Sequence, residues 1–84
     1  MNRDEILAMV VRHVADTVED LSVADVDPSR SMQDHDLASL DIVEVVSRSM
    51  RELKVTVPRS QLRTVGTIND LVDALHRAAA APQE

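Results

Sequence analysis

Apolar residues recur at intervals of three and four along most of this chain, which is the spacing of one face of an α-helix. The first such run predicts a helix over about residues 3–21, and Asn2 followed by Glu5 supplies a capping-box signal at its start. The second run predicts a helix over about residues 39–53. Its apolar stripe consists of Leu40, Val43, Val46, Met50 and Leu53.

The segment between these two helices, residues 22–38, holds no regular period. Pro28, with Asp, Ser and Arg neighbours, indicates a long ordered loop. We expect Val23, Val26 and Met32 to pin this loop to the core. A loop of this length in so small a domain is unusual and often functional.

The C-terminal part of the chain predicts one short helix and one long one. Pro58 disfavours the α conformation at the residue before it, and residues 59–63 predict a short helix after it. Thr67 with Asp70 resembles a second capping box, and an apolar stripe follows. Residues 79–84 are predicted to form a frayed tail.

Length and composition favour one small all-α domain over residues 1–84, built as a four-helix bundle with three long helices and one short. The chain has no Phe, Tyr, Trp or Cys, so the core must consist of Leu, Ile, Val, Met and Ala. A single core of this size commonly supplies only about 3–5 kcal/mol, which predicts a mobile bundle.

The net charge of −6 disfavours a nucleic-acid binder, because such proteins concentrate Lys and Arg to neutralise phosphates. The charge is uneven: residues 1–47 carry eleven carboxylates against three arginines, whereas residues 48–84 carry six basic and four acidic residues. No stretch approaches the about 18 apolar residues of a membrane span, and the N-terminus lacks the pattern of a signal peptide. We therefore expect a cytoplasmic, monomeric protein with no membrane contact.

Ser39 stands where the polar loop turns into the second predicted helix. Unpaired N–H groups and the positive end of the helix dipole make such a position favourable for an anion, for example a phosphodiester on the serine. A simple N-cap role for Ser39 is the alternative. The chain has no Cys, so any acyl thioester would need a thiol from outside the chain.

From Ser39 onward the order Ser-Leu-Asp-x-x-Glu resembles the phosphopantetheine attachment segment of acyl carrier proteins. Further matches to that family are Leu53, Val57-Pro58 and Thr67-Ile68. Upstream, the segment from Asp27-Pro28 to Met32 resembles the approach found in polyketide-synthase carrier domains. The resemblance covers nearly the whole chain.

The resemblance implies a free-standing, non-enzymatic acyl carrier with covalent 4′-phosphopantetheine, taken from coenzyme A, on Ser39. Its cargo would be acyl thioesters, in polyketide or related secondary metabolism or in fatty-acid synthesis. The implied partners are a phosphopantetheinyl transferase and acyltransferase, ketosynthase or acyl or aminoacyl ligase enzymes. Two alternatives stay open: an aminoacyl or peptidyl carrier that uses the same serine, and an unmodified helical adaptor.

The chain departs from the family pattern on both sides of Leu37. The family usually reads Leu-Gly-x-Asp-Ser-Leu, and here Asp36 replaces the glycine and Ala38 replaces the aspartate before the serine. The missing carboxylate beside Ser39 bears on recognition by a standard transferase and leaves the nucleophile unchanged.

Partner recognition is expected on the second helix and just after it. Asp41 and Glu44 lie near Ser39 and also compensate the helix dipole, whereas Arg48 and Arg51 reverse the charge farther along. A solvated face is the plain explanation for the arginines, and a dedicated partner set is the functional one. The predicted recognition residues are Leu40, Asp41, Glu44, Arg48, Arg51 and Val57.

Neither metal binding nor catalysis is supported by the sequence. His13, His35 and His76 are far apart, and no pair of them has the spacing of metal ligands. Ser39 has no evident base and no Gly-x-Ser-x-Gly context. We therefore predict no catalytic residue and no metal site.

Overall fold

The computed structural model describes residues 2–80, and within them the regular secondary structure is entirely helical, which confirms the predicted all-α class. The four α-helices are α1 (Arg3–Thr17), α2 (Ser39–Leu53), α3 (Arg59–Leu62) and α4 (Ile68–Ala80). Helix α1 packs against α2 and α4, and the short α3 packs against α4. The four-helix arrangement, three long and one short, is as predicted.

Helix α1 begins as predicted but ends earlier. The Asn2 side chain accepts from the Glu5 N–H at 2.8 Å, and the Glu5 carboxylate accepts from the Asn2 N–H at 3.3 Å. The prediction of a helix to residue 21 was wrong: Val18 is extended, and Asp20 adopts a left-handed conformation with φ of 68°. Since a left-handed residue cannot continue a right-handed helix, the chain turns there.

The loop from α1 to α2 is partly regular, with two short 3₁₀ helices at Val23–Asp25 and Gln33–His35. Val26 and Met32 are buried as predicted, whereas Val23 is 55% exposed, so its predicted role in the core was wrong. Leu37 and His35 are buried instead.

His35 holds the middle of this loop together, between residues 27 and 35. Its Nε2 accepts from the Asp27 N–H at 2.9 Å, and its Nδ1 lies 2.7 Å from the Ser31 carbonyl oxygen. A nitrogen that accepts from an N–H carries no proton, so Nδ1 is the donor to Ser31. The buried ring therefore has two of the loop's backbone groups as partners.

The loop is also anchored to α4, because its carbonyl groups satisfy the first N–H groups of that helix. Ile68 N–H donates to the Arg30 carbonyl at 3.0 Å, and Asn69 N–H donates to the Pro28 carbonyl at 2.9 Å. The predicted capping box is present: Thr67 N–H donates to Asp70 at 3.0 Å, and Asp70 N–H donates to Thr67 Oγ1 at 3.1 Å.

These contacts also set the acidity of Asp70. Backbone hydrogen bonds from Thr67 and Gly66 to its carboxylate hold the pKa of Asp70 below its ordinary value of 3.8.

The fully buried part of the core comes from α1, α2 and α4. Its largest members are Ile6, Met9, Val10, Val14, Val45, Ile68, Leu71, Val72 and Leu75.

Helix α2 has the predicted bounds, and its apolar stripe is divided between core and surface, because Val46, Met50 and Leu53 pack against the core. Leu40 is 83% exposed and Val43 is 60% exposed, whereas Val45 and Ser49 are fully buried. The buried face therefore lies about half a turn away from Leu40. Ser49 is tolerated there because its hydroxyl donates to the Val45 carbonyl at 2.7 Å.

The predicted frayed tail is only partly within the described residues. Ala79 and Ala80 belong to α4, and Ala79 packs against the core, so the prediction was wrong for these two residues. The remainder of the predicted tail, residues 81–84, lies outside the described residues.

Candidate functional site

Ser39 is the first residue of α2 and is exposed. The N-cap is Ala38, whose backbone is extended with φ of −77° and ψ of 167°, so the alternative that Ser39 caps the helix was wrong. The Ser39 hydroxyl has no hydrogen-bond partner among residues 2–80. The hydroxyl is therefore accessible on the surface of the molecule.

Unpaired backbone donors lie in the same helical turn as this hydroxyl. The N–H groups of Ser39, Leu40 and Asp41 have no acceptor in the described part of the chain, as expected for the first turn of a helix. The Asp41 carboxylate turns back to accept from the Ala38 N–H at 3.0 Å. A phosphate on Ser39 would therefore meet unpaired donors and the positive end of the α2 dipole.

The backbone turns sharply just before the site. Asp36 adopts a left-handed conformation, with φ of 67° and ψ of 20°, and its N–H donates to the Gln33 carbonyl at 3.0 Å. Glycine adopts this conformation without a steric penalty, and Asp tolerates it better than most residues do. Asp36 thus occupies a position whose geometry suits the glycine of the sequence pattern.

The other serines are less suited to modification. The hydroxyls of Ser22, Ser29 and Ser49 each donate to a carboxylate or a carbonyl oxygen, and the Ser31 hydroxyl accepts from the Asp34 N–H. Ser47 lies in the middle of α2, and Ser60 lies in the four-residue α3. Only Ser39 combines exposure, a free hydroxyl and the first position of a long helix, among the seven serines of the chain.

The solvent face of α2 beside Ser39 combines apolar and charged groups. Leu40 and Val43 are exposed, and the Glu44 carboxylate forms an ion pair with Arg48 at 2.6 Å. Arg51 is exposed and has no ion-pair partner among the described residues. Of the two predicted recognition arginines, only Arg51 therefore offers an uncompensated charge.

An open groove of about 750 Å³ begins one turn below Ser39 and runs between α2 and α3. Ser39, Ile42, Val43 and Val46 follow the three-and-four spacing of one helix face, so the serine heads the α2 wall of the groove. The apolar lining includes Ile42, Val46, Met50, Val57, Leu62 and Val65. The α2 wall of the groove therefore lies on the helix face that begins at Ser39.

Val57, a predicted recognition residue, is not on the outer surface. Its side chain is 3% exposed and lines the groove, while its N–H donates to the Met50 sulfur at 3.3 Å. A partner protein could therefore reach Val57 only from within the groove. A role of Val57 in partner recognition stays a prediction.

The matching protein family is the phosphopantetheine attachment site, whose model covers residues 10–75. The chain belongs to this family. It is also 28% identical over 82 residues to an acyl carrier protein of Acidothermus cellulolyticus, with 96% of each chain covered. No solved structure matches the chain significantly.

Membership of this family means that the chain is a carrier protein that bears 4′-phosphopantetheine as a covalently attached group. Proteins of the family are generally not enzymes themselves. The free hydroxyl and the unpaired N–H groups at the start of α2 fit such an attachment.

A second depression, of about 420 Å³, lies beside the loop between α1 and α2 and is lined by six carboxylate residues. The hydrogen bond from the Ser29 hydroxyl lowers the pKa of one of them, Asp27. Within residues 2–80 no group of three His, Asp or Glu residues could hold a metal ion, and no helix is long and apolar enough to cross a membrane.

Proposed function

We propose that Ser39 is the attachment residue and that the chain carries acyl groups as thioesters on the phosphopantetheine arm. The observation that carries this assignment is the exposed, unbonded Ser39 hydroxyl at the first position of α2. The chain has no Cys, so the thiol of the arm is the group that holds the cargo. The proposed setting is polyketide or related biosynthesis, on the resemblance of residues 27–32 to polyketide-synthase carriers.

The attachment step needs only the Ser39 oxygen from this chain. That oxygen bonds to the phosphorus atom next to the pantetheine half of coenzyme A, the pyrophosphate bond breaks, and 3′,5′-ADP leaves. The hydroxyl proton passes to solvent or to the transferase. The unpaired N–H groups of residues 39–41 favour the resulting phosphodiester anion.

The groove supports storage of the acyl part. Its α2 wall starts one turn from Ser39, and its lining is largely apolar, so a hydrocarbon chain placed there leaves water. Each CH₂ group that is buried in the groove contributes about 0.8 kcal/mol of transfer free energy. The groove therefore holds the acyl chain only moderately, and partner enzymes can remove it.

The proposed partners are a phosphopantetheinyl transferase and acyltransferase, ketosynthase or ligase enzymes. Leu40 and Val43 provide exposed apolar contacts beside the arm, and Asp41 supplies negative charge there. Arg51 lies about three turns from Ser39 and offers a positive charge. A partner with basic residues near the arm and acidic residues beyond it fits this order of charges.

Intact-mass measurement after incubation with coenzyme A and a promiscuous transferase tests the attachment. The mass should rise by one phosphopantetheinyl group in the wild type and in Ser60→Ala, the matched control with an exposed serine. It should not rise in Ser39→Ala. Because Ser39 does not cap α2, this variant should lose less than about 0.5 kcal/mol of stability.

Modification that persists in Ser39→Ala would contradict the assignment of the residue. No modification of the wild type would favour an unmodified helical adaptor. Loading of the arm with an amino acid by an adenylating enzyme, in place of a fatty or ketoacyl unit, would instead identify an aminoacyl or peptidyl carrier.

A further inference from the structure

The groove between α2 and α3 has positive charge along one wall. Arg59 and Arg63 both line it, and they lie one turn apart on α3 and at its C-cap. Neither guanidinium has an ion-pair or hydrogen-bond partner among residues 2–80, whereas Arg3, Arg12 and Arg48 each contact a carboxylate. These two arginines are therefore free to bind an anion in the groove.

This charge contrasts with the rest of the molecule. The chain has a net charge of −6, and six carboxylate residues line the depression in the loop. Among the described residues, by contrast, no Asp or Glu lines the groove. An anion inside the groove would meet two guanidinium groups and no facing carboxylate.

Resting on the proposed function, we propose that the groove holds an acyl group whose far end bears a carboxylate, and that Arg59 and Arg63 bind this carboxylate. The acyl chain enters below Ser39 and lies along Ile42 and Val46 of the apolar wall. Its far end then reaches the wall formed by α3. The planar guanidinium forms paired hydrogen bonds with a carboxylate, a geometry that an ammonium group cannot offer.

The apolar lining and the arginines have separate tasks in this arrangement. An acyl chain that ended in a methyl group would gain from the apolar lining alone and would leave both guanidinium groups without a partner. A carboxylate with no hydrocarbon before it would gain nothing from Ile42, Val46 or Met50. A chain with both parts uses the whole groove.

The test compares two acyl groups of equal length, octanoyl and suberoyl, loaded from their coenzyme A thioesters by a promiscuous transferase. Intact mass verifies the loading, and the melting temperature of each acyl form is compared with that of the arm-only form of the same variant. The double variant Arg59→Gln/Arg63→Gln should reduce the gain from suberoyl by about 2–6 °C and leave the gain from octanoyl unchanged. In the wild type, 1 M NaCl should also reduce the gain in melting temperature that suberoyl gives over the arm-only form.

The matched control is Lys54→Gln/Arg77→Gln, which removes the same charge from exposed basic residues outside the groove lining. This control should leave the melting-temperature gains from octanoyl and from suberoyl unchanged. Equal responses of the octanoyl and suberoyl forms to the groove variant would overturn the proposal and would leave the arginines for an acidic protein partner. Failure of both thioesters to add mass would instead refute the attachment at Ser39, a result that the mass spectrum distinguishes before any melting curve is recorded.

Discussion

Ala38 is the residue whose replacement tests the description of the α2 N-terminus most directly. It has the extended backbone of an N-cap but no side-chain acceptor, so the N–H groups of Leu40 and Asp41 stay unpaired. Ala38→Ser or Ala38→Asp would place an oxygen where these donors point. Both replacements keep the position exposed, so neither disturbs the core.

The expected gain follows from the capping energy. Exchange of Ala for Ser or Asp at an N-cap commonly stabilises a helix by about 1 kcal/mol. For Ala38→Asp, the helix dipole adds about 0.3–1 kcal/mol, and repulsion from the Asp41 carboxylate removes about 0.2–0.5 kcal/mol. Ala38→Ser should therefore melt about 4–8 °C above the wild type, and Ala38→Asp about 3–14 °C above it, given the usual relation for a domain of this size.

The Ala38→Ser and Ala38→Asp variants also separate the effect on protein stability from the effect on recognition by the transferase. If a standard transferase reads a carboxylate before the serine, Ala38→Asp should be modified faster than the wild type and Ala38→Ser should not. Thermal melts and the initial rate of arm attachment, followed by intact mass, measure the two effects. Melting temperatures within about 1 °C of wild type in both variants would refute the unpaired-donor argument. Equal acceleration by Ser and Asp would show that the transferase responds to the cap and not to the charge.

Three further predictions concern other parts of the molecule. Arg51→Gln should weaken acyl transfer with a cognate enzyme at low salt more than Arg48→Gln does, because Glu44 already compensates the charge of Arg48. Equal losses of transfer rate in the two variants at low salt would contradict this. His35→Ala should cost about 2–3 kcal/mol in urea unfolding, since it leaves two backbone groups of the loop unpaired, and an unchanged midpoint would count against the ring's role. The lowered pKa of Asp70 adds stability that is fully present above its ordinary pKa of 3.8 and is lost as the pH falls through the lower folded-state pKa. Asp70→Asn should therefore flatten the fall in melting temperature below about pH 4, and a profile as steep as that of the wild type would disprove this contribution.

Local signals predicted most of the helices because each depends on neighbouring residues. Asn2 with Glu5 and Thr67 with Asp70 form the hydrogen bonds that the capping pattern requires. The bounds of α2 also match the prediction. The end of α1 was missed because its apolar period continues past Thr17, while the left-handed Asp20 has no strong sequence signature.

The division of the α2 stripe between core and surface depends on tertiary packing, so the spacing of apolar residues did not reveal it. A count of apolar residues favoured a stripe through Leu40 and Val43, whereas Ser49 could not contribute to it. In the structure Ser49 is buried because its hydroxyl bonds within its own helix. Sequence reasoning also missed His35, whose two partners lie in the loop and become adjacent only when the loop folds.

At the candidate site, the sequence located Ser39 at the helix start but not its exact position in the cap. The N-cap role belongs to Ala38, a residue type that rarely serves there, so only the alternative role of Ser39 as N-cap was wrong. The groove and its two unpaired arginines could not be predicted, because they depend on the distance between α2 and α3. Asp36 could have been recognised, since a glycine in a family pattern often marks a left-handed backbone.

The exposed face of α2 limits how tightly a partner of the proposed carrier can bind. Full burial of a side chain such as Leu40 or Val43 gives about 1.5–3 kcal/mol, so the two together give at most about 6 kcal/mol. Association costs about 4–15 kcal/mol in lost translational and rotational freedom, so these contacts alone do not hold a complex together. The remainder must come from Arg51 and the carboxylates near Ser39, which act mainly on the association rate, and from the cargo itself. Transfer of the cargo removes its share, and the carrier then dissociates.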